Sequence, residues 1–262
     1  MSDSMVTGGA LKVLILGGTT ESRLLAEQLA TRKRFAVVVS FAGRTTTPSI
    51  SAVPYRIGGF GGASGLAEFL ERERFAALVD ATHPFAAQIS TNAVHAARLS
   101  GVPLVRLERD DWQRQPGDRW QEVDNMSEAA RAIGAVPRRV FLSIGRQELG
   151  AFAEAPQHDY LIRSIEPSSV NLARARVILQ RGPFQLEDEL RLLETEAIEV
   201  IVSKHSGTAA TYAKIEAARR LALPVILVKR PELPAATVAR DIAEVVRWLD
   251  ALNTQANARR CE

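Results

Sequence analysis

Apolar residues in this chain come in short, near-continuous runs, each followed by a turn and then by apolar positions at helical spacing. The runs are Leu11–Leu16, Phe35–Ser40, Val53–Ile57, Ala76–Asp80, Pro103–Leu107, Arg139–Ser143, Tyr160–Ser164, Arg176–Leu179, Val200–Ser203 and Pro224–Val228. Strands buried on both faces of a parallel sheet lose the apolar–polar alternation of half-exposed strands and read this way. Strand, turn and helix in steady succession predict an α/β fold, with parallel sheets covered by helices on both faces. So many strands exceed one sheet of ordinary size, and the polar, tryptophan-containing stretch Asp110–Asn125 reads as a break. Two domains follow, over residues 11–125 and 126–253, with an active-site cleft between them and frayed tails at 1–10 and 254–262.

The first run breaks at Gly17-Gly-Thr-Thr-Glu21 before a helix begins. Glycines there let backbone approach a ligand, and the free N–H groups and positive dipole end of a helix favour an anion. A dinucleotide pyrophosphate is the natural guest of such a turn. The strict G-x-G-x-x-G fingerprint is absent, so a tight strand-to-helix turn fits equally well. At the end of the second run, where a dinucleotide fold meets the adenosine ribose, the chain reads Ser40-Phe-Ala-Gly-Arg-Thr45. It lacks the carboxylate that suits NADH and offers a guanidinium with two hydroxyls, which suits a 2′-phosphate. NADPH is therefore expected, unless Arg44 is a solvated loop charge. A second cluster, Gly58-Gly-Phe-Gly-Gly-Ala-Ser-Gly65, is either a ligand-facing loop or a flexible connection.

Asp80-Ala-Thr-His-Pro-Phe-Ala86 follows another strand at the edge where open parallel sheets place their ligands. Pro84 suits the first turn of a helix, which would set His83 at a helix N-terminus and favour the neutral imidazole. Such a ring exchanges protons or orients a polar group. His95, inside a helical run, is a weaker candidate. In the second half, Ser143-Ile-Gly-Arg146 and Ser203-Lys-His-Ser206 repeat the strand-end design, so Arg146 and Lys204 would share one sheet edge, each near a helix start. Each alone reads as a surface charge, yet their recurrence at strand ends is what a cradle for carboxylates requires; Arg163 and Arg181 are weaker candidates for it.

Composition narrows the classes. The chain has 262 residues, 46% of them hydrophobic, which supports a sizeable core. No apolar run approaches a membrane span, and Met1–Ala10 lacks the pattern of a signal peptide, so a cytoplasmic protein is expected. The single cysteine, Cys261, allows neither an internal disulfide nor a thiolate metal cluster, and no metal site is expected. A net charge of +3, with arginines interspersed among acids, implies no nucleic-acid partner but admits a polyanionic small substrate.

Gly17-Gly-Thr-Thr-Glu21, Ser40-Phe-Ala-Gly-Arg-Thr45, Gly58-Gly-Phe-Gly-Gly62, Asp80-Ala-Thr-His-Pro-Phe-Ala86, Ser143-Ile-Gly-Arg146 and Ser203-Lys204, in this order, resemble the precorrin-6A reductase family of cobalamin biosynthesis. The likeness runs through nearly the whole chain, and Asp80–Ala86 is its most specific part. Ser22 replaces an expected glycine, His205 an asparagine, Thr208 a second glycine and Asp110 a proline. The resemblance implies two Rossmann-like domains and an NADPH-dependent oxidoreductase that reduces one carbon–carbon double bond of the precorrin-6A macrocycle to give precorrin-6B. Gly17, Gly18, Thr19, Thr20, Glu21, Ser40, Arg44, Thr45, Gly59 and Thr82 would then hold the cofactor. Phe85, Ser143, Gly145, Arg146, Lys204, His205 and Ser206 would hold the polycarboxylate substrate, and His83 or Lys204 would supply the proton that accompanies hydride.

Rival classes fit less well. A short-chain dehydrogenase needs Tyr-x-x-x-Lys, and Tyr55, Tyr160 and Tyr212 are followed at that spacing by Gly59, Ser164 and Glu216. A hydrolase would show a G-x-S-x-G nucleophile elbow, which is absent. Reduction of a cobalt-containing precorrin with NADH, or non-catalytic carriage of a tetrapyrrole or nucleotide, stays open as an alternative. No motif selects an oligomeric state.

Overall fold

The computed structural model describes residues 10–42, 53–165, 167 and 172–261. The chain forms two α/β units: one runs to Arg109 and resumes at Glu232, and the other is Asp110–Pro231. The first unit opens with β1 (Leu11–Leu16), α1 (Thr20–Ala30), β2 (Phe35–Phe41), β3 (Tyr55–Ile57), α2 (Gly62–Arg72), β4 (Ala77–Asp80), α3 (Ala87–Ser100) and β5 (Leu104–Leu107). In the second unit come β6 (Arg119–Val123), α4 (Met126–Ala132), β7 (Arg139–Ser143), a 3-10 helix (Arg146–Glu154), β8 (Asp159–Ser164), β9 (Ala175–Leu179), α5 (Leu186–Thr195), β10 (Val200–Lys204), α6 (Ala213–Arg220) and β11 (Pro224–Val228). The chain then returns to the first unit as β12 (Thr237–Ala239) and α7 (Ile242–Cys261).

Both sheets are six-stranded and parallel, in the orders β12-β5-β4-β1-β2-β3 and β6-β11-β10-β7-β8-β9. Side chains alternate between the faces of a strand. Val13 and Ile15 of β1 therefore pack on one side with Leu25 and Leu29 of α1 and Val245 and Leu249 of α7. Leu14 and Leu16 pack on the other with Leu66 and Leu70 of α2 and Ala93 of α3. Each fully buried leucine contributes roughly 1.5–3 kcal/mol. In the second unit Phe141, Ile201 and Val225 pack against Leu193 of α5, Ile215 of α6 and the indoles of Trp112 and Trp120.

Strand order in each sheet reverses once, and the crevice beyond the strand ends at such a reversal is where ligands enter folds of this class. In the first sheet the reversal lies between β1 and β4, joining the loops after Leu16 and Asp80. In the second it lies between β7 and β10, joining the loops after Ser143 and Lys204. A capping box, in which Thr19 and Ser22 satisfy each other's backbone, starts α1. Gly65 is required by close approach, since a Cβ there would stand 1.8 Å from the Phe60 carbonyl oxygen.

Several expectations need correction. The stretch read as a break contains β6, which pairs with β11, so residues 110–125 belong with the second sheet. A further strand, β12, pairs with β5, and α7 continues helical to Cys261 where a frayed tail is expected from 254. The units therefore part at Arg109 and again at Pro231, not at 125. Residues 83–86 form a turn closed by the Ala86 N–H on the His83 carbonyl (2.7 Å), and α3 begins only at Ala87, so Pro84 does not start it. The loop after Gly145 enters a 3-10 helix, and the one after Thr208 enters the short 3-10 helix Ala209–Thr211 before α6. Among the described residues no helix is long and apolar enough to cross a membrane.

Candidate functional site

In the first unit the loops at the β1/β4 reversal touch. The Thr19 hydroxyl donates to the Ala81 carbonyl (2.9 Å), and the Gly17 N–H to the Ser40 carbonyl of β2 (2.9 Å). Gly17 fits because a Cβ there would stand 2.9 Å from Val39. Gly18 takes φ 121°, and a Cβ on it would meet nothing within 4 Å. That open side lies at the positive end of α1, which attracts an anion. The N–H groups of Gly18 and Thr19, expected to face that anion, instead donate to Ser22 Oγ, both at 3.1 Å. Serine in place of the expected glycine thus closes the turn on itself, and Thr20 and Glu21 stand in the first turn of α1 beyond it. The Glu21 carboxylate, repulsive to a phosphate, is paired with Arg109 at 3.1 Å.

Ser40 is buried, and its hydroxyl accepts from Arg56 Nη1 (2.9 Å) across the β2–β3 register. Arg56 also donates to the Gly58 and Gly59 carbonyls (2.9 and 3.0 Å) and stacks 4.0 Å over the Phe60 ring. Burial pulls its pKa below the ordinary guanidinium range. The sequence signal that would have singled out Arg56 is a cation inside a short strand that leads into a glycine cluster. Gly59 is exposed beside it, with open space where a Cβ would be. Arg44 and Thr45 lie outside the described residues.

The Asp80–Ala86 loop is built on a buried carboxylate. Asp80 Oδ1 accepts from the Thr82 hydroxyl (2.7 Å) and backbone N–H (3.2 Å), and its Oδ2 faces Arg106 Nε at 3.5 Å. Both side chains are nearly inaccessible, and Arg106 reaches on to the Pro234 carbonyl (3.1 Å). This pair escaped the sequence reading, although an ionisable residue inside each of two apolar strands is its signature. His83 is half-buried beside Phe85, the ring centres 5.8 Å apart. Its Nδ1 accepts the Phe85 N–H (3.2 Å), which places the proton of the neutral ring on Nε2. His95 stands exposed on α3.

At the β7/β10 reversal of the second unit, Ser143 and Ser203 lie in register. Gly145 and Arg146 are exposed beyond them, and the Lys204 ammonium is ion-paired with Glu148. One oxygen of Glu148 is buried without a hydrogen bond, and a Cβ on Gly145 would stand 2.6 Å from it. Ser143, Gly145, Arg146 and Lys204 thus all follow the strand ends at this reversal.

His205 and Ser206 are turned inward. The His205 ring stacks on Trp112 (5.4 Å) with Trp120 at its edge, and burial lowers its pKa against the opposing pull of Asp111. The Ser206 hydroxyl pairs with that of Thr211 (3.1 Å). Lys214 is buried, donates to the Thr211 carbonyl (2.8 Å) and lies 5.2 Å from the Trp112 ring; burial pushes its pKa down to about 7. Arg163 is buried in a forked pair with Glu189 (2.6 and 3.1 Å), so it does not join the cradle. Arg181 is exposed on a cavity of ≈ 500 Å³ next to Phe184 and Arg191.

Comparison with known proteins gives a consistent answer. The family model described as precorrin-6x reductase CbiJ/CobK matches residues 12–250. A precorrin-6A reductase of Sinorhizobium sp is 54% identical over 248 residues, covering 94% of this chain and 93% of that protein. One from Rhodobacter capsulatus is 46% identical over 240 residues, covering 91% and 95%. The solved structure of CobK precorrin-6A reductase superposes with a TM-score of 0.88 at 46% identity, over 92% of this chain and 96% of that one.

Proposed function

The chain belongs to the precorrin-6x reductase family, and from that premise we propose that it reduces one carbon–carbon double bond of precorrin-6A to give precorrin-6B, with NADPH as preferred reductant. The observation that carries the reading is a likeness to precorrin-6A reductases that runs through both units and includes both strand-order reversals. Residues of the first unit suit a dinucleotide. Open space at Gly18 and Gly59 admits one, and the start of α1 with Thr20 favours its pyrophosphate. Ser40 and Thr82 border the same edge, and Arg109 neutralises Glu21. The nicotinamide, when bound, supplies the hydride.

The protein's own residues do the rest. His83 holds a proton on Nε2 because the Phe85 N–H occupies Nδ1, and from there it protonates the carbon next to the one that accepts hydride. Asp80 fixes the loop that carries it. In the second unit Lys204, aimed by Glu148, and Arg146 meet the acetate and propionate groups of the macrocycle. Such anchoring converts binding energy into orientation of the reacting face.

The test is anaerobic oxidation of NADPH and of NADH, followed at the nicotinamide absorbance, with metal-free precorrin-6A, with its cobalt complex, and with neither. Oxidation that requires the metal-free substrate and is faster with NADPH is expected. Faster turnover of the cobalt complex overturns the substrate assignment, and consumption of neither cofactor turns the reading to a carrier. His83→Ala should lower turnover while leaving NADPH affinity unchanged, and unaltered turnover would remove it from the mechanism.

A further inference from the structure

We infer that Arg56 is the residue that reads the phosphate on the adenosine ribose of the cofactor, and so sets the preference for the phosphorylated dinucleotide. The inference rests on the proposal that NADPH is the reductant.

Among the described residues Arg56 is a partly buried cation without a counter-anion. Three of its N–H groups are used, by Ser40 Oγ, the Gly58 carbonyl and the Gly59 carbonyl. All three acceptors are neutral, and no carboxylate lies within ion-pairing distance of the guanidinium among the described residues. A guanidinium carries five N–H donors, so Nε–H and one Nη2–H remain for a ligand. Removing a charge from water costs free energy unless an anion answers it. The stack on Phe60 at 4.0 Å and the fixed hydrogen bonds hold the fork in one orientation. Pre-organisation of this kind suits bidentate capture of a phosphate.

Its place in the sheet selects the phosphate. Arg56, in β3, lies in register with Ser40 at the carboxyl end of β2, the strand paired directly with β1, which opens the nucleotide crevice. That strand end meets the adenosine ribose in dinucleotide-binding sheets, and an arginine near it accommodates a 2′-phosphate. The neighbouring Gly59 offers open space where a side chain would stand.

The experiment compares adenosine 2′,5′-bisphosphate with adenosine 5′-monophosphate by titration calorimetry on the full chain. Wild-type protein should bind the bisphosphate more tightly. Arg56→Gln should lose about 10- to 100-fold in affinity for the bisphosphate, with little change for the monophosphate. Arg56→Lys, which keeps charge but not the fork, should fall between them. A general disturbance of the glycine loop would weaken both ligands alike, leave their ratio intact and overturn the inference. If wild type discriminates and Arg56→Gln discriminates equally, Arg56 is not the reader although the NADPH reading stands. If wild type does not discriminate at all, the NADPH reading itself fails.

Discussion

Asp80→Asn tests whether the loop carrying His83 is supported by a buried charge. Asparagine keeps the shape and can keep the two hydrogen bonds from Thr82, at 2.7 and 3.2 Å. What it removes is the negative charge opposite Arg106, in a pair whose side chains are 2% and 8% exposed. Breaking a buried pair from one side costs roughly 3–5 kcal/mol, because the remaining charge stays buried without its partner. The 3.5 Å contact is not a hydrogen bond, which favours the lower end, about 3 kcal/mol. In a domain of this size that lowers the melting temperature by roughly 6–12 °C. The two units need not unfold together, so the assay is native-state hydrogen exchange read separately on peptides of β1 and β4 and of β7 and β10. Protection should fall in the first pair and hold in the second. Arg106→Met added to Asp80→Asn should recover part of the loss, since no orphaned charge remains. A loss under about 1 kcal/mol in the single variant, or a double variant as weak as the summed singles, would refute the reasoning.

Two further outcomes are expected. Gly65→Ala places a methyl 1.8 Å from the Phe60 carbonyl, so the backbone must move. It should cost about 1–3 kcal/mol by thermal unfolding despite alanine's better helix propensity. Gly150→Ala, with no atom within 4 Å of the new methyl, should cost little, and equal losses would contradict the packing argument. Lys214, with a folded-state pKa pushed down to about 7 by burial, makes stability depend on pH. Between that value and the ordinary lysine pKa of about 10.4, the unfolded chain holds a proton the folded chain lacks. The lysine's contribution to stability is therefore least favourable at and below neutrality and improves as pH rises. Lys214→Met should stabilise most at about pH 6.5 and least at about pH 9.5 in urea titrations, and a pH-independent difference would refute the assignment.

Strands carried by apolar runs were legible because their burial on both faces leaves no room for polar residues; Leu78, Val79, Phe141 and Ile201 are fully inaccessible. The strands that escaped are both at sheet edges. In β6 only Trp120 and Val123 are buried, and β12 is Thr-Val-Ala, so neither makes an apolar run. Edge position also hid the division of the chain, because pairing with β11 and β5 assigns these segments and pairing is not local. Strand-end loops were legible as a group, since glycines and hydroxyls after apolar runs mark them. Side-chain direction was not: Lys204 stays at the edge with Glu148, whereas the next two residues turn inward onto Trp112 and Thr211. Asp80 with Arg106, and Arg56 with Ser40, pair across strands far apart in sequence, which no local pattern announces.

The return of β12 and α7 to the first unit constrains how the protein is made. A ribosome releases β1 to β5 early, yet Val245, Val246 and Leu249, which cover one face of β1 together with α1, leave it only after the second unit. Until then that face of the first sheet is covered by α1 without α7, and β5 has one unpaired edge, the condition that invites strand-to-strand association between nascent chains. The second unit, whose residues are continuous from Asp110 to Pro231, has its whole sheet available before then. Order of synthesis and order of completion are thus inverted: the unit begun first is finished second, and a chain stalled after Pro231 carries one whole sheet and one that lacks its edge strand and its α7 cover.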